Sequence, residues 1–298
     1  MNLIVTLLAL LVAVSCNQIS FTADGSPKDN PVESSPAVFS CPTGYAKVDD
    51  ELCVMTYEAR KNSDNKPESR GDVIAWHSVT TVTALAACAS LNVPAHPEGV
   101  FALINNDEWI KIANQIELNG ENWSNGLPYD GCLKRGTAGS YDAEICINTG
   151  SSTPVWGPTR NSTIGNLKLA SGETIYDFSG NYFEVIDAQV TQGNKPYASS
   201  VSYPDWIPVQ NELYLVDTHL GASYPFSLET VHPLNPALRA SDGIGTFNNR
   251  TDPGNTDPLV LRGGVSWGSA GIYDLYLSRA ATQTDPDVSF RCVFRKNP

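Results

Sequence analysis

The chain has 298 residues, 41% hydrophobic and 17% charged, a globular balance with room for one large domain or two small ones. Its net charge is -13, from 19 basic and 32 acidic side chains. So acidic a surface argues against nucleic acid, whose phosphates demand Lys and Arg, and against broad docking on anionic lipid.

The first sixteen residues, MNLIVTLLALLVAVSC, are an apolar run too short to span a bilayer comfortably but suited to the core of a secretory signal. VAVSC resembles a bacterial lipobox, in which the cysteine is acylated and the chain is cut before it. Ala13 stands where Leu is usual, and no Lys or Arg precedes the run. The expectation is an exported protein, lipid-anchored through Cys16 in the bacterial cell envelope, at the outer membrane or cell surface; the alternative is an ordinary cleaved signal. Residues 17–40 are rich in Ser, Pro, Asp and Asn, cannot bury a core, and read as a flexible tether. Residues 41–298 read as one domain.

Beyond Cys16 six cysteines remain: Cys41, Cys53, Cys88, Cys132, Cys146 and Cys292. An even count in an exported chain suggests disulfides, although six cysteines allow fifteen pairings. None is spaced C-x-x-C, which argues against a zinc ribbon or a redox dithiol.

The stretch CPTGYAKVDDELCVMTYEARK holds two strand-like runs around a polar turn at Asp49 and Asp50, and reads as a hairpin. Cys41 and Cys53 lie near its two ends and could close it. In HSVTTVTALAACASLN, Val79, Val82, Leu85, Ala86 and Ala89 make a helical stripe, with Ser78 or Thr80 as cap. NNDEWIKIANQIE is a second helix: Asn105 and Glu108 have capping-box spacing, and Trp109, Ile112, Ala113 and Ile116 form the buried face. From 120 to 172 the chain is loop-like, with Trp123 and Trp156 as anchors. Cys132 and Cys146 fall within one loop, where a local bridge is the economical reading.

From 173 onward short strands alternate with turns. IYDFSGNYFEVID sets Asp177, a Gly-Asn turn and Glu184 among apolar residues, which suits either local turn chemistry or a bound cation. DVSFRCVFRK reads as one strand with Val288, Phe290, Cys292 and Phe294 on one side. Two early helices and irregular later strands imply an α+β fold with antiparallel strands and long loops.

LCVMTYEARK, ALINNDEWIKIA, IYDFSGNYFEV, LRGGVSW and VSFRCVFR occur in the order found in the formylglycine-generating enzyme (sulfatase-modifying factor-like) family, which has an elaborated C-type lectin-like fold. Glu108-Trp109, Gly180-Asn181-Tyr182-Phe183-Glu184, Arg262-Gly263-Gly264 with Ser266-Trp267, and Phe290-Arg291 resemble its motifs. Phe183 replaces a Trp, Val265 is inserted, and Ser289 replaces the last Gly. The resemblance covers roughly 41–298.

It implies bridges Cys88–Cys292 and Cys41–Cys53. The family's oxidases need two cysteines soon after R-G-G-S-W to bind copper(I); here Gly268, Ser269 and Ala270 follow, and no Cys appears before Cys292. Copper chemistry is therefore not expected. A second branch uses three histidines on iron. The four histidines here, His77, His96, His219 and His232, share no helical spacing, and His96 and His232 precede Pro, which favours loops.

The family's equivalent strand-turn can hold calcium, which implies Asp177 and Glu184 carboxylates with Gly180 and Tyr182 carbonyls as ligands in a structural site. The competing reading has Asp177 capping the turn and Glu184 paired with an internal Arg. The related variable proteins of diversity-generating retroelements bind targets through the stretch after R-G-G-S-W. This implies a recognition surface at Trp267, Tyr273, Asp274, Tyr276, Ser278 and Arg279, although Ile272, Leu275 and Leu277 are interleaved and some aromatics must be core. The expected function is non-catalytic binding of a glycan or protein ligand. An enzyme with an altered metal site and a purely structural envelope lipoprotein are the alternatives.

Overall fold

A computed structural model describes residues 39–92, 96–136, 165–189, 218–219, 225–226, 233–248, 259–266, 270–280 and 282–297. All of them fall within the compact unit Ala37–Pro298. Among the described residues it is an α+β arrangement of two α-helices and several small sheets.

Strands β1 (Tyr45–Lys47) and β2 (Leu52–Met55) pair antiparallel as the expected hairpin. Its turn closes because the backbone N–H groups of Val48 and Asp49 donate to the Leu52 carbonyl while the Asp49 carboxylate accepts from Glu51 N–H. The Cys41–Cys53 disulfide spans this hairpin. A second hairpin follows, β3 (Ala59–Lys61) with β4 (Pro67–Ser69).

Helix α1 (Thr81–Ala89) starts at Thr80, whose hydroxyl accepts from Thr83 N–H. Its inward face is Thr81, Ala84, Ala87 and Cys88, and Val82 is 73% exposed. The stripe expected from the sequence is thus rotated. Alanines all round the helix leave its apolar periodicity ambiguous, and the Cys88–Cys292 disulfide decides which side faces in. After β5 (Gly99–Leu103), helix α2 (Asn106–Leu118) carries the predicted capping box: Asn105 accepts from Glu108 N–H, and Glu108 accepts from Asn105 N–H. Trp109, Ile112, Ala113 and Ile116 are fully buried, as their spacing requires.

The later strands are β6 (Asn166–Lys168), β7 (Thr174–Tyr176), β8 (Phe183–Gln189), β9 (Thr218–His219), β10 (Pro225–Phe226), β11 (Phe247–Asn248), β12 (Leu259–Gly264), β13 (Ala270–Tyr276), β14 (Val288–Phe290) and β15 (Cys292–Lys296). A four-stranded antiparallel sheet has the order β1-β2-β15-β5; a five-stranded mixed sheet has the order β11-β13-β12-β8-β14. The pairs β3-β4, β6-β7 and β9-β10 stand apart as two-stranded ribbons.

The closing segment corrects the expectation of one strand. It breaks at Arg291 into β14, parallel to β8 in the larger sheet, and β15, antiparallel between β2 and β5 in the smaller one. Phe290 and Cys292 join one core cluster and Phe294 another. Alternating apolar residues look the same whether a strand stays in one sheet or crosses between two.

The larger sheet is buried on both faces. Trp109 of α2, Ile186 and Val260 belong to one cluster; Ala84 and Cys88 of α1, Phe183, Val185 and Leu261 belong to the other. Trp109 donates its indole N–H to the Ile272 carbonyl at 2.7 Å and stacks on Phe178 at 3.8 Å.

Candidate functional site

Two of the sequence motifs meet. Asp177–Tyr182 turns the chain between β7 and β8, and Gly263–Ser266 turns it at the end of β12. Gly180 N–H donates to the Gly263 carbonyl at 2.7 Å, and Ser266 N–H donates to the Asn181 carbonyl at 3.2 Å. Asp177, Gly180, Asn181, Gly263 and Gly264 all have positive φ, between 54° and 88°. At Gly263 a side chain is excluded twice over: φ is +82°, and a Cβ would lie 3.2 Å from the Phe178 carbonyl oxygen.

Asn181 adopts φ 70° because its amide donates to the buried Glu58 carboxylate at 2.6 Å, while Tyr182 N–H donates to the other Glu58 oxygen at 3.2 Å. Burial, then the charges of Glu58 and Asp287, push the Tyr182 phenol far above its ordinary value. The acid that serves this turn is therefore Glu58, which sequence reasoning missed. Its signal was a lone acid beside the apolar run LCVMTY.

Glu184 points elsewhere. Its carboxylate accepts from Arg291 Nε at 3.0 and 3.2 Å and from Arg291 Nη2 at 2.7 Å, and both side chains are fully buried. Arg291 also donates to the carbonyls of Met55 and Tyr176. Burial pushes the Glu184 carboxyl up, and Arg291 pulls it back. Of the expected calcium set of Asp177, Gly180, Tyr182 and Glu184, the Glu184 carboxylate has both oxygens bonded to the Arg291 guanidinium. The competing reading, an internal Arg partner, is what the geometry shows.

The expected recognition residues divide. Tyr273 is a core residue with no exposure. Its hydroxyl donates toward Glu117 and Asn114, and burial followed by the Glu117 charge raises its pKa strongly. Asp274 and Ser278 are buried too. These three are corrected from surface to interior. Tyr273 and Asp274 lie on β13, an inner strand between β12 and β11, and Ser278 follows two residues after its end. Tyr276 and Arg279 remain partly exposed, with the Arg279 guanidinium 5.9 Å from the Tyr276 ring centre and paired with Asp285. Trp267, Cys16 and Cys146 lie outside the described residues. Cys132 is disulfide-bonded.

Arg262, of the LRGGVSW motif, is fully buried. It donates to the Tyr273 carbonyl and to the Asn106 side chain, and burial pulls its pKa down to about 9 while Asp274 opposes the shift.

Tyr276 does not stand alone. Trp76 and Tyr276, both partly exposed, pack on the same buried cluster, Trp76 edge-on to Phe290 and Tyr276 tilted on Phe183. Lys61 Nζ lies 4.8 Å over the Trp76 ring. Next to Trp76, the His77 ring lies parallel to Tyr182 at 5.9 Å, and its Nδ1 is 2.9 Å from Ser78 Oγ. Of the other histidines, His96 sits against Phe101 and Phe294 with Glu98 at 3.4 Å, far along the chain from His77. His219 falls in β9, and His232 lies outside the described residues. Trp76 and Tyr276 thus share one core cluster, with Lys61 over the Trp76 ring, Arg279 over the Tyr276 ring and His77 stacked on Tyr182. They present ring faces and hydrogen-bond donors, a composition suited to holding a ligand.

No protein-family model matches the chain, and no curated protein matches its sequence. Among solved structures it is similar to Treponema denticola variable protein 1, with 15% identity, 82% of this chain and 84% of that chain covered, and a TM-score of 0.34.

Proposed function

We propose that this chain is an exported, lipid-anchored protein of the bacterial cell envelope whose domain binds a ligand and performs no oxidase chemistry. In this reading its α+β domain is the elaborated C-type lectin-like fold of formylglycine-generating enzyme relatives, with the thiol pair replaced. The observation that carries the reading is the Cys88–Cys292 disulfide. It takes up the one cysteine that follows LRGGVSW, so that sulfur is no soft ligand for copper. Bonds of this kind persist in oxidising compartments, which supports export. The ligand would contact Tyr276, Arg279 and Trp267, with Trp76 and His77 as further contacts.

The test has two arms. Radiolabelled palmitate should enter the full-length chain expressed in a bacterium and should be lost in Cys16→Ala. Binding of the purified protein to whole cells and to an array of glycans should fall at least tenfold in Tyr276→Ala with Arg279→Ala. One copper ion per chain in protein purified without added metal, or oxygen consumption with a cysteine-bearing peptide, would overturn the reading.

A further inference from the structure

Asn-Gly is the dipeptide at which a chain most readily attacks itself, because glycine sets no side chain between its own amide nitrogen and the carboxamide before it. It occurs twice, at Asn119-Gly120 and at Asn125-Gly126. As dipeptides the two are alike, and the fold treats them differently.

Asn119 caps the C-terminal end of α2. Its Oδ1 accepts from Glu121 N–H at 3.0 Å, and its amide donates toward the carbonyls of Lys168 at 3.5 Å and Leu169 at 3.3 Å. Gly120 is hemmed in as well: a Cβ there would lie 2.5 Å from the Gly126 carbonyl oxygen and 3.2 Å from Pro128 Cδ. Asn125 and Gly126 are exposed. The Asn125 amide donates to the exposed Asp130 carboxylate at 2.9 Å. Gly126 has φ +80°, and a Cβ there would meet nothing within 4 Å. A turn bond from its N–H to the Trp123 carbonyl, at 3.1 Å, is what the nitrogen must give up before it can attack.

We infer that Asn125 is a site of spontaneous deamidation and that the change opens the tip of this loop. The Gly126 amide nitrogen bonds to Asn125 Cγ, the bond from Cγ to the side-chain nitrogen breaks, and ammonia leaves with the proton that Gly126 gives up. Water, the one co-reactant, then opens the cyclic imide at either carbonyl, leaving aspartate or its β-linked isomer. Both products carry a carboxylate where the amide stood. The donor to Asp130 is lost, and two negative charges face each other across the former hydrogen bond. The Asn125 side chain also rests on Gly131, whose Cβ would lie 3.1 Å from the Asn125 amide nitrogen, so the repulsion falls on both arms of the tip. The β-linked isomer further lengthens the Trp123–Gly126 turn by a backbone carbon. At the base, Ser124 N–H donates to the Cys132 carbonyl at 2.8 Å and Cys132 N–H to Ser124 Oγ at 3.0 Å, and these bonds do not involve the altered group.

The purified full-length chain is incubated in mildly alkaline buffer, folded and, in parallel, unfolded in urea, then digested for peptide mass spectrometry. In the unfolded chain both asparagines should convert to the acid at similar rates. In the folded chain Asn125 should convert about tenfold faster than Asn119, the factor that one or two additional hydrogen bonds to break would give. Equal rates at the two sites in the folded chain, or no conversion at Asn125, overturn the inference. The opening is read separately from Asn125→Asp. Chymotrypsin should cut this variant after Leu127 or Tyr129 about fivefold faster than wild type, and adding Asp130→Asn, which restores an amide donor to the pair, should return the rate toward wild type. Asn125→Asp cut no faster than wild type, or a double variant cut as fast as the single, overturns the opening.

Discussion

Arg291→Met is the sharpest perturbation of this fold. The substitution preserves most of the side-chain volume but leaves the Glu184 carboxylate fully buried without the guanidinium that pairs with it. Breaking a buried pair from one side costs about 3–5 kcal/mol, because the orphaned charge has no solvent. The carbonyls of Met55 and Tyr176 lose a donor at the same time. In a unit of this size the loss corresponds to roughly 10 °C in Tm. It should be measured by urea unfolding followed by Trp fluorescence with the disulfides intact. The penalty should also depend on pH in a definite direction. With Arg291 absent, burial alone acts on Glu184 and holds its folded pKa above the unfolded value near about 4.3. A carboxyl raised in this way opposes folding while ionised. The penalty is therefore full at neutral pH and shrinks as the pH falls through the folded pKa. Glu184→Leu combined with Arg291→Met should recover most of the loss, since no buried charge then remains. A single variant within about 1 kcal/mol of wild type, or a double variant no better than the single, would refute the reasoning.

Other outcomes follow from the same geometry. Removing the Cys88–Cys292 bridge, which spans 204 residues, should cost about 5 kcal/mol on the chain-entropy estimate against about 3 for Cys41–Cys53, which spans 12, and paired Ser variants compared by thermal melts check the order. Asn105→Ala should lower stability by about 1 kcal/mol through loss of the α2 cap, read from the urea midpoint at unchanged slope. Burial, relieved in part by Arg295 and reinforced by Glu108, raises the pKa of half-buried Asp187, so ionising it opposes folding; Asp187→Asn should be more stable than wild type at neutral pH, with the advantage gone near about pH 4. Because Glu184 is committed to Arg291, excess EDTA should leave Tm unmoved, and a drop of several degrees would return a cation to the Asp177–Tyr182 turn.

The sequence by itself determined what local chemistry controls. The Asp49 turn, the Asn105–Glu108 capping box and the inward face of α2 could be read directly, since each depends on residues within one turn or one helical period of one another. The motif-like stretches flagged Gly180, Asn181, Gly263 and Ser266, and these do pair across two turns. Only the tertiary structure decided which long-range partner each polar group takes. Glu184 chose Arg291 over the turn that precedes it, and Glu58 took that turn's amide groups from more than a hundred residues away. The closing strand changed sheets at Arg291, and Tyr273 went inward to Glu117. Period-two alternation tells the two sides of a strand apart, but when both sides are buried it says nothing about which polar residue meets which. That choice belongs to desolvation: a charge inside this core survives only where another chain segment brings its partner.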